Sequence, residues 1–202
     1  MKIMNPKFAA CLVMALLMSA ALAAGCKKNA TQQASAPAPA PVYTPAQVTR
    51  GAELVNEWKC NYCHTPELKG PDGKPIPNPQ RLLSGHPQGE KIPDVSDMVI
   101  TSPEFMEFLD NLENTVWATN DKLVFASNLT PDIATGIGSW NETQFLETLR
   151  SGMHMGLGRR ILYPMPWQEL AQLPDGDLIS IFAYLRTIDP VSNKVPPAIV
   201  PT

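Results

Sequence analysis

Cys60-Asn61-Tyr62-Cys63-His64 is the stretch on which the reading of this chain turns. C-x-x-C-H is the attachment signature of a c-type haem, and the chemistry requires those residues at that spacing. Two thiols add across the two vinyl groups on one edge of a porphyrin. The adjacent histidine then swings beneath the ring and offers its imidazole to iron. A structural zinc site would want four ligands, and no second Cys pair stands elsewhere in the chain. A thioredoxin-like dithiol would expect a preceding strand in a βαβ context, whereas the residues before Cys60 carry a helical pattern. Covalent haem c, one per chain and held through Cys60 and Cys63, is the chemistry left.

The other two cysteines have different fates. Lys2 and Lys7 precede an uncharged apolar run, residues 8–24 (FAACLVMALLMSAALAA), which ends in Ala23-Ala24-Gly25 immediately before Cys26. This is the layout of a secretory signal peptide over 1–25, so Cys11 is expected to leave with it. Leu22-Ala23-Ala24-Gly25-Cys26 also resembles a bacterial lipobox, which makes Cys26 the expected lipidation site. Two or three acyl chains would hold a protein on a membrane stably, where one would not. The residues after Cys26 are Lys27 and Lys28, without the Asp that resembles an inner-membrane retention signal. A periplasm-facing place in the cell envelope is expected, with the outer membrane slightly favoured. Residues 26–43 then read as an Ala/Pro-rich tether, reaching on the order of 60 Å at about 3.1 Å per residue when extended.

Of the 202 residues, 44% are hydrophobic and 17% charged, and the formal net charge is −3. Without Lys2 and Lys7 the remaining chain holds 14 basic and 19 acidic residues, or −5. A net negative chain with no basic cluster argues against nucleic acid as a partner. The length fits one domain with appendages, and no Gly-rich phosphate loop points to a nucleotide fold.

Helices surround the motif. Thr44-Pro45-Ala46-Gln47 is a capping box with Pro at the first helical position, and Val48, Ala52, Val55 and Trp58 follow as a stripe. Ser139-Trp140-Asn141-Glu142 reads as a second capping box, leading to Phe145, Leu146 and Leu149, with Gly152 as the stop. Pro174-Asp175 opens a third helix bearing Leu178, Ile181, Phe182, Leu185 and Ile188 on one face, and Pro190 ends it. Ser102-Pro103 starts another, with Phe105, Phe108, Leu109 and Leu112 inside. Residues 65–97 are Pro- and Gly-rich and are expected to be loop. No alternating strand is evident, so the expected fold class is all-α with long loops. Between positions 90 and 121 eight acids stand against Lys91, as an inserted acidic helical segment within about 88–126. It reads as a solvated hairpin or lid, or alternatively as a docking face for a basic redox partner.

A helix running into C-x-x-C-H, with a last helix bearing Tyr184-Leu185-Arg186, resembles the class I cytochrome c family over roughly 45–190. The likeness is greater to the haem domains that accompany periplasmic alcohol and sugar-acid dehydrogenases. Its motifs are Arg50-Gly51, Cys63-His64-Thr65, Asn128-Leu129-Thr130-Pro131-Asp132, Thr135-Gly136-Ile137-Gly138-Ser139-Trp140, Met165-Pro166-Trp167 and Pro190-Val191. The resemblance implies a cytochrome c-like domain over 44–190 with a tail at 191–202. It implies single-electron transfer with a dehydrogenase, oxidase or another cytochrome rather than enzymatic turnover. It also implies that Gly51 meets Tyr184 where first and last helices cross.

The occupant of the sixth iron position separates carrier from catalyst. Met165 lies between Pro164 and Pro166, which stiffen a loop and hold its thioether, and it stands where the family carries its methionine. His64 and Met165 are therefore the expected iron ligands. Met153, Met155, His154 and His86 stay open as alternatives, and Met106 reads as core filler. Resemblance suggests that a proline-loop carbonyl orients His64, with Pro71, Pro77 and Pro79 competing. Trp140, Arg159 and Arg160 are candidate donors to the haem propionates. The rival function is a haem enzyme or small-molecule sensor with an open sixth position.

Overall fold

A computed structural model of the chain describes residues 42–90, 114–119 and 122–199. The expected signal peptide, Cys26, the expected helix after Ser102-Pro103, Met98, Met106 and most of the acidic stretch lie outside those residues. Among the described residues no helix is long and apolar enough to cross a membrane.

Helix α1 spans Pro45–Glu57 and starts as its sequence demands. Thr44 Oγ1 accepts from the Gln47 amide at 3.2 Å, and the Gln47 side chain accepts from the Thr44 amide at 2.9 Å. The buried stripe is Gly51, Leu54 and Val55, which leaves Val48 and Ala52 at its half-buried edge. Lys59 turns through the left-handed region at φ 53° and re-aims the chain into the one-turn helix α2, Cys60–His64.

Two antiparallel hairpins follow, the first where loop alone was expected over 65–97 and the second inside the stretch of about 88–126 expected to be helical. Strands β1 (Glu67–Lys69) and β2 (Pro75–Pro77) pair with Glu67 opposite Pro77. Two prolines fit β2 because a two-stranded ribbon leaves each strand an open edge. A 3-10 turn, Pro79–Arg81, leads away from it. Strands β3 (Val116–Ala118) and β4 (Leu123–Phe125) form the second hairpin, whose Val116, Leu123 and Phe125 pack against Val195 and Ile199 of the tail. The tail is therefore docked along the domain rather than projecting from it, and Ile199 exchanges backbone hydrogen bonds with Leu123.

Helix α3 covers Glu142–Ser151. Its box is displaced from the expected register: Asn141, not Ser139, is the N-cap, and Gln144 closes the box. Gly152 ends the helix at φ 68°, and a Cβ there would lie 2.6 Å from the Trp167 ring. The short helix α4 (Trp167–Leu170) precedes α5 (Asp175–Leu185), whose first turn carries Asp175 and Asp177 against the helix dipole. Helix α5 ends at Leu185, before Pro190 is reached, so Ile188 packs on the core from outside the helix.

The principal helix pairing is α1 with α5. It is possible because residue 51 has no side chain: a Cβ there would lie 1.9 Å from the Ser180 carbonyl oxygen and 2.8 Å from Tyr184 Cβ. The implied meeting of Gly51 with Tyr184 is thus present. Arg50 clamps the crossing with a two-pronged ion pair to Asp177 at 3.0 and 2.9 Å. Beneath it lie Leu54, Val55, Leu83, Phe145, Leu178, Ile181 and Phe182, each worth about 1.5–3 kcal/mol when fully buried.

Candidate haem site

Cys60 and Cys63 lie three residues apart on α2, so one helical face presents both thiols. Both are free, and burial pushes the Cys60 thiol up to about 11 and raises Cys63 as well. They therefore remain S–H groups in neutral water. His64 closes the turn as a buried residue. Its Nδ1 lies 2.8 Å from the Ser127 carbonyl oxygen, which can only accept. Nδ1 must then carry the ring proton, and Nε2 keeps its lone pair. Burial holds the imidazole pKa below its ordinary value, opposed in part by that hydrogen bond, so the ring is neutral at physiological pH.

Ser127 replaces the expected proline-loop acceptor. Pro71, Pro77 and Pro79 are all exposed, on or beside the β1–β2 hairpin, while the imidazole is buried. The Ser127 segment comes instead from the chain that leaves β4.

Met165 sits in the loop before α4, its amide donating to Leu162 at 3.2 Å and its carbonyl accepting from Trp167 at 2.9 Å. Met165 and Cys60 pack against the same apolar cluster. Met165 also lines a cleft of about 220 Å3 together with Arg160 and Trp167. Met153 and Met155 belong to a tight hairpin in which Met153 pairs with Arg160 and Met155 adopts φ 55°. His154 stands edge-on to Trp140 at 4.9 Å, and burial followed by Arg159 depresses its pKa. His86 is a loop residue but a buried one, with Nδ1 3.0 Å from Thr115 Oγ1 and its ring 4.9 Å from Phe125.

The candidate propionate donors divide between the two sides. Arg159 is exposed and donates to Ser127 Oγ at 3.2 Å, beside the residue that holds His64. Arg160, also exposed, belongs to the Met165 cleft, and Trp140 packs on the apolar cluster. Sequence reasoning missed another set. Trp58 Nε1 and Arg81 Nε and Nη2 are buried with no hydrogen-bond acceptor. Nothing in a Pro-rich segment marks Nε and Nη2 of the half-buried Arg81 as buried. Trp58 falls on a helix stripe, where an indole reads as packing.

Buried donors without acceptors are costly, and a group bringing carboxylates would satisfy them. Two thiols on one helical turn, a neutral imidazole with a free Nε2, a thioether against the same apolar cluster and unspent donors fit haem c. Comparison with known proteins agrees with that chemistry. The fructose dehydrogenase cytochrome subunit of Gluconobacter japonicus is 28% identical over 174 residues, covering 86% of this chain and 28% of that protein. The cytochrome c subunit of a quinone alcohol dehydrogenase from Gluconobacter oxydans is 33% identical over 76 residues, 36% of this chain and 16% of that protein. A nicotinate dehydrogenase subunit from Pseudomonas putida is 32% identical over 73 residues, 36% of this chain and 6% of that protein.

The chain is similar to cytochrome subunits of dehydrogenases. It spans at most 28% of the length of these relatives. No protein-family model matches it.

Proposed function

We propose that this chain is a lipid-anchored, periplasm-facing cytochrome with a c-like fold, passing single electrons from a dehydrogenase to a further redox partner. The observation that carries the reading is α2, where Cys60, Cys63 and an oriented His64 occupy one turn. Haem c supplies the redox change itself, one electron at a time at its iron. Cys60 and Cys63 would hold haem c through thioether bonds to its two vinyl groups. His64 would present Nε2 as an iron ligand, with the Ser127 carbonyl keeping its ring from turning. Met165 is the residue proposed as the second ligand, since it alone of Met153, Met155 and Met165 packs against the cluster that includes Cys60 as a neighbour. Trp58 and Arg81 are the buried donors available to propionate oxygens, with Arg159 and Arg160 outside them.

The α1–α5 crossing, with its helices directly ahead of the site and at the end of the domain, supports the cytochrome c-like fold. The dehydrogenase partner rests on similarity to subunits of such enzymes, and the anchor on Cys26. Two measurements test the reading. Haem staining on a denaturing gel should survive Cys11→Ser and be lost or greatly weakened in Cys60→Ser and Cys63→Ser. The reduced protein should bind carbon monoxide poorly. Equal staining in all three variants rejects covalent haem at this motif. Ready carbon monoxide uptake by the unmodified protein rejects the closed-site carrier in favour of an open-site haem enzyme or sensor.

A further inference from the structure

His64 is gripped at two points. Its ring N–H donates to the Ser127 carbonyl at 2.8 Å, and its own carbonyl accepts from the Gly85 amide at 2.8 Å. Residues 84–86 and 126–128 belong to no helix or strand, so each segment needs fixing by something else.

The tail supplies it. Asn193 is fully buried, at 0% exposure. Its Nδ2 donates to the carbonyls of Ser84 at 2.7 Å and His86 at 2.9 Å, the residues on either side of Gly85. Its Oδ1 accepts from the Gln88 amide at 2.7 Å, and its own amide donates to Thr135 Oγ1 at 2.9 Å. Asn128, adjacent to Ser127, completes the tie. Its Nδ2 donates to the Val191 carbonyl at 2.8 Å, and its Oδ1 accepts from the Thr130 amide at 2.9 Å. The two segments also meet each other, the His86 amide donating to the Ala126 carbonyl at 3.0 Å. Gly85 makes this contact possible, since a Cβ there would lie 2.4 Å from Ala126 O. Both segments that hold His64 from outside α2 are thereby fastened, directly or through one neighbour, to residues 191–193.

We infer that Asn193 and Asn128 are positioning residues for the His64 imidazole, and that the C-terminal tail belongs to the iron-ligand apparatus. This rests on the reading that His64 ligates the iron. A carbonyl that holds the ring N–H raises the basicity of the ligating nitrogen. If the Ser127 carbonyl is free to drift, that basicity falls, the ferric state loses stabilisation and the reduction potential rises.

The test uses the haem-loaded protein. Asn193→Ala removes both Nδ2 donors together with the acceptor for Gln88 and adds no charge beside the haem. Asn128→Ala removes the donor to Val191 together with the acceptor for Thr130. Ile199→Ala is the control, since it weakens the tail where it packs on β3 and β4, away from His64. Haem content, reduction potential and exchange of the His64 ring N–H, followed by proton NMR, are measured for each. Both Asn variants should keep haem, show a higher potential and exchange that proton roughly tenfold faster, the scale of one lost hydrogen bond. Ile199→Ala should lower the melting temperature without moving the potential. The inference is overturned if the Asn variants shift potential and exchange no more than Ile199→Ala does. One folded Asn variant suffices to decide it. An unmodified protein whose iron has no histidine ligand fails the underlying reading instead, and the inference falls with it.

Discussion

A thioether can do two jobs inside a protein, filling an irregular gap or binding a metal, and the second is the one proposed for Met165. Its loop is bounded by Pro164 and Pro166, and Met165 borders both an apolar cluster and a cleft. Because the thioether bonds at Cys60 and Cys63 do not depend on the sixth position, Met165→Ala should leave haem attached. It should also open the iron to carbon monoxide, abolish the weak near-infrared sulfur-to-iron band of the ferric protein and lower the potential, since a soft thioether favours ferrous iron. Met153→Ala and Met155→Ala should leave the band intact, because both residues belong to the hairpin turn. A band that survives Met165→Ala and disappears in either neighbour moves the ligand there. Asp132 shows the same residue-level logic with protons. Hydrogen bonds from the Thr135 hydroxyl and amide hold its carboxyl below the usual value of 3.8. A depressed native value favours the folded state above the unfolded value, and the advantage disappears as pH falls through the native one. Asp132→Asn should therefore lower the melting temperature at neutral pH, with the difference from the unmodified protein closing as pH falls through the depressed native value.

Elements differ in how much of them the sequence discloses. The α1 cap was legible because a capping box is a contract among four consecutive residues, and Thr44 to Gln47 satisfy it unambiguously. At α3 two overlapping boxes compete, Ser139 to Glu142 and Asn141 to Gln144, and the structure takes the one nearer the periodic Phe145. The first hairpin was hidden, since Pro75-Ile76-Pro77 breaks the usual strand composition and only an edge position tolerates it. The Ser127 carbonyl was invisible for a deeper reason: every residue carries such an oxygen, so only the tertiary path chooses among them. Cys60, Cys63 and His64 stood out because covalent chemistry fixes spacing that packing does not. The α1–α5 crossing was implied by the family resemblance, with Gly51 and Tyr184 as its meeting residues, and it yields a strict expectation. Gly51→Ala places a methyl 1.9 Å from a backbone oxygen, which no rotamer change relieves. The helices must separate, at about 1–3 kcal/mol or more by the usual scale of overpacking. Thermal melts of the haem-loaded protein would show it, and a variant as stable as the parent would contradict the crossing.

On the scale of the whole molecule, the helical domain begins at the Thr44 cap, and the candidate chemistry ahead of it is the lipid acceptor Cys26. On the proposed reading that separation matters, since an Ala/Pro-rich tether over 26–43 reaching on the order of 60 Å would let a membrane-held carrier turn toward a donor and then an acceptor. One lipid chain would not hold it there, whereas the two or three chains of a processed lipoprotein would. Cys26→Ser should consequently release the protein into the soluble fraction or leave a longer, unprocessed precursor, as fractionation and mass measurement would reveal. Haem attachment and the reduced spectrum should be unchanged in whatever fraction is exported, because Cys60, Cys63, His64 and Met165 all belong to the helical domain. Normal processing with undiminished membrane retention would reject Cys26 as the anchor and place the attachment elsewhere, in a docked dehydrogenase or another membrane-bound partner.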